Sequence, residues 1–283
     1  MKRLTLRKQN LRHIPFLLPS FIGVMVFVLI PFVDSVRRSF YAAVTGEFVG
    51  VQNFKVISEN EAFALAVKNT ALFTAVCLPI LIVLSFFISY ALCKLRYIRL
   101  IKSALLFPLA VPTATLVLVW QVLFDDAGYI NSIITELGGT EILFLHSSAA
   151  FWVLVGSYVW KNLGYTVLLW VTGMMSISTS LTDAARVDGA NERQCLFHII
   201  LPNLKPTLYT ITIISFLNSF KVFREAYLVA GSYPHDSMYL LQHLFNNWFV
   251  NMELDKMAAA AVCVFSVIFL AIVLLQRVWD KEG

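Results

Sequence analysis

Four ionisable side chains stand where the surrounding sequence is almost wholly apolar: Lys161, Lys221, Arg224 and Glu225. Asn218 lies about one helical turn before Lys221. Charge in hydrocarbon is costly, so it is kept paired or kept for a purpose. Lys221 and Glu225 are four apart, a spacing that puts both on one helix face and lets them pair. Polar groups beside aromatic faces can hold a polar solute, and Phe216, Phe220, Phe223 and Tyr227 supply rings nearby. Asn218, Phe220, Lys221 and Glu225 are therefore the expected lining of a solute pathway. Arg224 is expected to reach out to an interface.

A second polar island is DAARVDGANERQCLFHIILP, Asp183 to Pro202. Ser180-Leu181-Thr182-Asp183 fits a capping box, in which the Ser hydroxyl accepts from the Asp amide and the carboxylate reaches back. Gly189 follows where a helix ends on a left-handed residue, and Asn191-Glu192-Arg193-Gln194 is a second box. The pattern predicts two short helices about a turn, with Ala184, Ala185, Gly189 and Ala190 gathered near it. Small residues let another backbone approach closely. A simple connector would need no doubly capped geometry and would be shorter.

Other chemistry is missing from the sequence. It contains no G-x-x-x-x-G-K-[ST] phosphate loop, no Gly-rich dinucleotide loop, no nucleophile elbow and no metal-ligand spacing. His235 and His243 are expected as surface residues of an outer loop. Cys77, Cys93, Cys195 and Cys263 show no CxxC spacing and are expected as small apolar fillers. An enzyme is not expected, and work against a gradient must draw on a partner or an ion.

The elements that must position these residues are membrane helices. Of 283 residues, 59% are apolar and 14% charged, against ~25% charged in soluble domains. Mean hydropathy is +0.75. Apolar runs near the ~20 residues that cross a bilayer predict an all-α polytopic fold with six transmembrane helices. These are expected at Ile14–Val33, Ala66–Leu92, Ser103–Phe124, Ala149–Met175, Pro206–Ala230 and Met257–Leu275. The first is expected to be an uncleaved span, since no small-x-small site closes it. With the N-terminus in the cytoplasm, inner segments hold fourteen Lys and Arg and outer ones five, a positive-inside bias. Both termini are then cytoplasmic, and the net charge of +5 is an orientation signal rather than a nucleic-acid footprint. The expected organisation is a basic cytoplasmic stretch at 1–13, a transmembrane domain at 14–279 and a cytoplasmic tail at 280–283. The loop 178–205 falls inside the cell, between the fourth and fifth spans.

Asp183-Ala184-Ala185, Gly189, Ile199 and Leu201-Pro202 resemble, spacing for spacing, a cytoplasmic signature: Glu-Ala-Ala, Gly, Ile and Leu-Pro. It marks permease subunits of binding-protein-dependent ABC importers, and Asp183 here replaces Glu. DAARVDGAN resembles their carbohydrate-uptake branch, that of maltose and glycerol-3-phosphate permeases. FVGVQNF at Phe48–Phe54, KNTALFT at Lys68–Thr74, FPLAVPTATLVLVW at Phe107–Trp120 and the Ala-rich start of the last span extend the resemblance along nearly the whole chain.

The resemblance implies a multi-pass subunit of a prokaryotic plasma membrane. It would translocate a sugar or sugar derivative delivered by an extracellular or periplasmic solute-binding protein. Its partners would be a second homologous permease subunit, two cytoplasmic ABC ATPase subunits and the lipid bilayer, with no nucleic acid. ATP and Mg would sit on the ATPase subunits, and this chain would bind no cofactor. The loop would act as a coupling helix, docking through Asp183, Ala184, Ala185 and Gly189. Arg186, Asp188 and Arg193 are further polar contacts by position. Ile199, Leu201 and Pro202 complete the motif. The alternative is an ion-coupled secondary transporter with Lys221 and Glu225 as its relay.

Overall fold

The computed structural model describes residues 14–94 and 98–280. The expected stretch 1–13, Arg96 and the residues 281–283 lie outside them, and with them half of the expected inner positive charge. Among the described residues there is no β-strand. Tyr41 and Phe48 form an isolated antiparallel bridge.

In chain order the helices begin with α1 (Ile14–Val24), α2 (Ile30–Arg38), α3 (Gln52–Ser58), α4 (Glu61–Cys93), α5 (Ile98–Ala110), α6 (Thr113–Phe124) and α7 (Tyr129–Glu136). They continue with α8 (Ala149–Met175), α9 (Thr179–Val187), α10 (Glu192–Cys195), α11 (Leu201–Asn203), α12 (Lys205–Ser219), α13 (Phe223–Ala230), α14 (Leu241–Val250) and α15 (Leu254–Asp280). A π-helical turn, Met25–Leu29, joins α1 to α2, and a 3-10 turn, Phe220–Val222, joins α12 to α13.

Three helices are long and apolar enough to cross a membrane by themselves: Phe16–Arg38, Glu61–Cys93 and Leu254–Arg277. Two bent pairs, Ala104–Ala110 with Thr113–Glu136 and Glu192–Asn203 with Lys205–Ala230, raise the number to five if each is one span. The expected third span is thus not straight. It bends by 100° at Val111-Pro112, because Pro112 has no N–H to continue the helix and its ring pushes Val111 away from helical angles. Helix α8 matches the expected fourth span residue for residue. It is too polar to qualify by composition, for a reason visible in its packing: thirteen of its residues are buried in protein, so it needs less hydrocarbon-compatible surface.

The structure divides into two compact units, residues 14–60 with 247–280, and residues 61–246. In the first, α15 packs on α2 and α3. Phe32 meets Phe265 with ring centroids 4.7 Å apart, and Asp255 Oδ2 accepts from the Ala43 amide. Asn53, the Asn of FVGVQNF, is buried and donates to the carbonyls of Ser39 and Tyr41. This closes the turn after α2 onto α3.

In the second unit α8 lies along α4. Phe73, Cys77 and Leu81 of α4 bury against Leu154, Tyr158 and Val159 of α8. Farther along, Phe86 meets Trp170 edge to face. Polar side chains are matched across the seam. Trp170 Nε1 donates to Ser85 Oγ at 3.1 Å, and Ser89 Oγ donates to the Val167 carbonyl at 3.0 Å. Tyr158 OH donates to the Ser215 carbonyl of α12 at 2.7 Å. Helix α5 crosses α8 at Gly164, so closely that a Cβ there would lie 1.6 Å from the Leu105 carbonyl oxygen.

Gly164→Ala is expected to force α5 from α8 and to destabilise the protein by about 1–3 kcal/mol, the usual cost of overpacking. Gly156→Ala, on the same helix with nothing within 4 Å of a new Cβ, is expected to be neutral or slightly stabilising. Thermal unfolding of the two variants checks this, and equal melting temperatures would refute the close approach.

Candidate functional site

The loop after α8 is built by local chemistry. Helix α9 opens at Ser178, whose backbone is extended and which makes no side-chain cap bond. The expected box on Ser180 and Asp183 does not form. Ser180 Oγ pairs instead with Ser178 Oγ at 2.7 Å, and Asp183 sits inside the helix, 3.3 Å from Arg186 Nη1. Ser178, Thr179 and Ser180 are all acceptable caps, so the pattern alone does not choose among them. The C-terminus is as expected. Gly189 has φ +88°, its amide donates to the Arg186 carbonyl, and the Ala190 amide donates to the Ala185 carbonyl. These are the two bonds of a Schellman ending. The second box also forms, with Gln194 N donating to Asn191 Oδ1 at 2.9 Å and Asn191 N donating to Gln194 Oε1 at 2.8 Å.

The resulting helix–turn–helix stands open. Helix α9 has no buried side chain, Val187 is 88% exposed, and Asp183, Ala184, Arg186, Asp188 and Gly189 are all exposed. Leu201 and Pro202 are exposed at the start of α11, and Ile199 is half-buried. Cys195 is buried, and Leu196 and Ile200 pack against the Phe86–Trp170 cluster. Glu192 joins the pieces. It accepts from Arg186 Nη2 at 3.0 Å, Lys94 Nζ at 3.2 Å and Tyr90 OH at 3.5 Å. The hydrogen bond from Arg186, then that from Lys94, holds the Glu192 carboxyl below the usual glutamate range.

Three of the four charges set in apolar runs, Lys161, Lys221 and Glu225, gather around a cavity of about 230 Å³, while Arg224 is exposed away from it. Ser157, Tyr158, Lys161 and Asn162 of α8 line one side, and Asn218, Lys221, Val222 and Glu225 line the other, with Leu109 of α5. The structure therefore brings together Asn218, Lys221 and Glu225 of the expected pathway. Phe220 does not line it; its ring packs edge-on against Phe216 at 5.4 Å. The expected pairing of Lys221 with Glu225 is overturned. Lys161 Nζ pairs with Glu225 Oε1, and Lys221 Nζ donates to Asn218 Oδ1 at 3.0 Å. The reason is the 3-10 turn Phe220–Val222, whose 3.0 residues per turn change the angular register, leaving Lys221 exposed and Glu225 buried. Sequence reading missed Asn162, Ser157 and Tyr158; the signal was present in Lys161-Asn162 with Ser157 one turn earlier.

His243 is a second correction. It is fully buried rather than on the surface, because residues 241–250 form a helix and not a loop. Nδ1 accepts from the Leu240 amide, and the ring lies edge-on to Phe223 and stacked on Tyr239. Burial pushes its pKa down to about 4, so it is neutral at neutral pH. His235 is half-buried and contacts Ser237.

The model of the family "Binding-protein-dependent transport system inner membrane component" matches residues 94–282. The arabinooligosaccharides transport system permease protein AraP of Bacillus subtilis (strain 168) is 29% identical over 267 residues, covering 89% of this chain and 83% of the relative. The probable starch degradation products transport system permease protein AmyD of Thermoanaerobacterium thermosulfurigenes is 25% identical, covering 89% and 88%. The sn-glycerol-3-phosphate transport system permease protein UgpA of Yersinia pestis is 26% identical, covering 84% and 82%. Among solved structures, a bacterial ABC transporter involved in the import of the acidic polysaccharide alginate shares the fold. Its TM-score is 0.83 at 20% identity, over 99% of each chain. A bacterial alginate ABC transporter in complex with an alginate pentasaccharide-bound periplasmic protein gives 0.80 at 20% identity, over 94% and 93%.

Glu225→Leu strands the Lys161 charge and is expected to destabilise by roughly 3 kcal/mol. Lys161→Met with Glu225→Leu is expected to recover most of that loss, as a double-mutant cycle of thermal unfolding will read. His243 supplies a pH dependence. Its folded pKa of about 4 lies below the ordinary ~6.5, so between these values the unfolded chain binds the extra proton. Its contribution is full above about pH 6.5 and is lost as pH falls through about 4, an effect of about 3 kcal/mol. Melting curves from pH 7 to 4.5 are expected to descend in the parent protein and to flatten in His243→Gln.

Proposed function

This chain belongs to the family of binding-protein-dependent transport system inner membrane components, and from that premise we propose that it is the permease subunit of an ATP-binding cassette importer for a sugar or sugar derivative. The solute would arrive on an extracytoplasmic binding protein. Support for the solute class comes from relatives named for arabinooligosaccharides, starch products and glycerol phosphate, and from an importer of alginate with the same fold.

Six spans follow from this reading: α1 with α2, α4, the bent pair α5 and α6, α8, α12 with α13, and α15. Both termini and the loop 178–205 face the cytoplasm, within a transmembrane domain of 14–279 bounded by the short segments 1–13 and 280–283. A second homologous permease completes the pathway, and two ATPase subunits bind ATP and Mg in place of this chain. Helix α9 is the coupling element, offering Asp183, Ala184, Ala185, Arg186, Asp188 and Gly189 to an ATPase cleft, with Ile199, Leu201 and Pro202 setting the path back to α12. Closure of the ATPase pair would push this helix and rock the spans as rigid bodies about the cavity. There Lys161, Asn162, Asn218 and Lys221 present donors, and Glu225 an acceptor, to sugar hydroxyls.

The observation that carries the proposal is the state of α9: ended by two Schellman bonds, followed by a complete capping box, and yet without one buried side chain. A helix shaped so closely and packed on so little fits a docking role. The ion-coupled alternative relied on a Lys221–Glu225 relay, and Glu225 is engaged by Lys161 instead.

Gly189→Val would place a β-branched residue at φ +88°, a strain of roughly 1–2 kcal/mol. Membrane insertion is expected to stay normal while co-purification of the ATPase subunits and ATP-dependent uptake of radiolabelled oligosaccharide are lost. Gly189→Asn, which tolerates left-handed angles, is expected to retain most of both. Parent-like assembly and uptake in Gly189→Val would sink the docking role.

A further inference from the structure

We propose that Glu192 is the positioning residue that carries movement of the docking helix α9 to the end of α4; the inference rests on the importer reading above. Three observations lead to it. Helix α9 has no buried side chain, so apolar packing does not set its orientation. A cavity of about 190 Å³ lies between it and the helix ends, lined by Tyr90, Lys94, Met174, Thr182, Arg186 and Glu192. Across that gap runs one polar chain, from Arg186 on α9 through Glu192 to Lys94 and Tyr90.

The two ends of this chain differ in how firmly they are held. Glu192 opens α10, whose Cys195 is buried and whose continuation packs through Leu196 and Ile200 on the Phe86–Trp170 cluster. Lys94 directly follows α4 and lies over the Tyr90 ring at 4.4 Å. Arg186, by contrast, sits on the unpacked helix. A carboxylate between two cations accepts from both at once and so fixes their relative placement. Exposed pairs of this kind add little to stability, so loss of Glu192 leaves the fold intact. Covering by an ATPase subunit would exclude water and strengthen the same contacts. The bridge is therefore tightest when force is applied through it.

The test uses the assembled importer in proteoliposomes, with the four native cysteines replaced by serine and Asn218→Cys as a reporter at the cavity. The probe is MgATP with vanadate, and the readout is the rate of labelling by a membrane-impermeant maleimide. In the parent complex nucleotide is expected to change this rate several-fold. In Glu192→Gln the ATPase subunits are expected to co-purify and hydrolyse MgATP, while the labelling change is lost. Lys94→Gln, which cuts the other end of the bridge, is expected to give the same loss, and the double variant to be no worse than either single. A merely structural role would lower assembly and leave the nucleotide response of the assembled fraction unchanged. A labelling change that survives Glu192→Gln, or losses that add in the double variant, overturns the role of Glu192 alone. No nucleotide response in the parent complex overturns the coupling reading and this inference with it.

Discussion

A helix that carries Tyr158, Lys161, Asn162, Thr166 and Trp170 among apolar neighbours has to find partners for them in protein, since hydrocarbon offers none. Contacts of α8 with α4, α12 and α13 meet that demand for Tyr158, Lys161 and Trp170. Trp170 reaches Ser85, Ser89 reaches the Val167 carbonyl, Tyr158 reaches the Ser215 carbonyl, and Lys161 reaches Glu225. Asn162 and Thr166 are satisfied within the helix, on the carbonyls of Tyr158 and Asn162. Gly164 lets α5 close against the same helix. Each of these contacts requires α8 to keep its rotation and its depth. Burial on this scale is also why α8 is less apolar than the helices that meet lipid over more of their surface.

Fixing α8 places two regions at once. Its middle lines the cavity, and its end at Met175 leads within a few residues into α9. In the proposed importer, a push received at the loop therefore enters a helix whose own packing resists deformation, and arrives at the solute as a change in the placement of Lys161 and Asn162. In the same reading the Glu192 bridge to Lys94 would add a second route, into α4. Because α4 and α8 are themselves locked together, both routes move one body.

Sequence legibility followed the range of the interactions. The bounds of α8, the left-handed Gly189 and the Asn191–Gln194 box were readable, each being decided within a few residues along the chain. The cap of α9 was not, because three consecutive hydroxyl residues compete for it and the extended Ser178 wins. The bend at Pro112 was half-readable: proline marks a place where a helix can break, while the 100° angle depends on what packs on either side. Of the candidate site, Asn218, Lys221 and Glu225 line one cavity together, while the partner of Glu225 is Lys161 rather than Lys221.

The sequence by itself determined that this chain is helical and largely apolar, and that one polar loop is shaped by a capping box and a glycine. Those properties depend on hydropathy, on φ preferences and on hydrogen bonds to near neighbours, all of which are local. Only the tertiary structure decided that Glu225 belongs to Lys161, that His243 is buried and neutral, and that Glu192 links the loop to α4. A charge has several possible partners along a chain, and the choice among them is made by the distance and rotation between helices, which no spacing in one segment encodes.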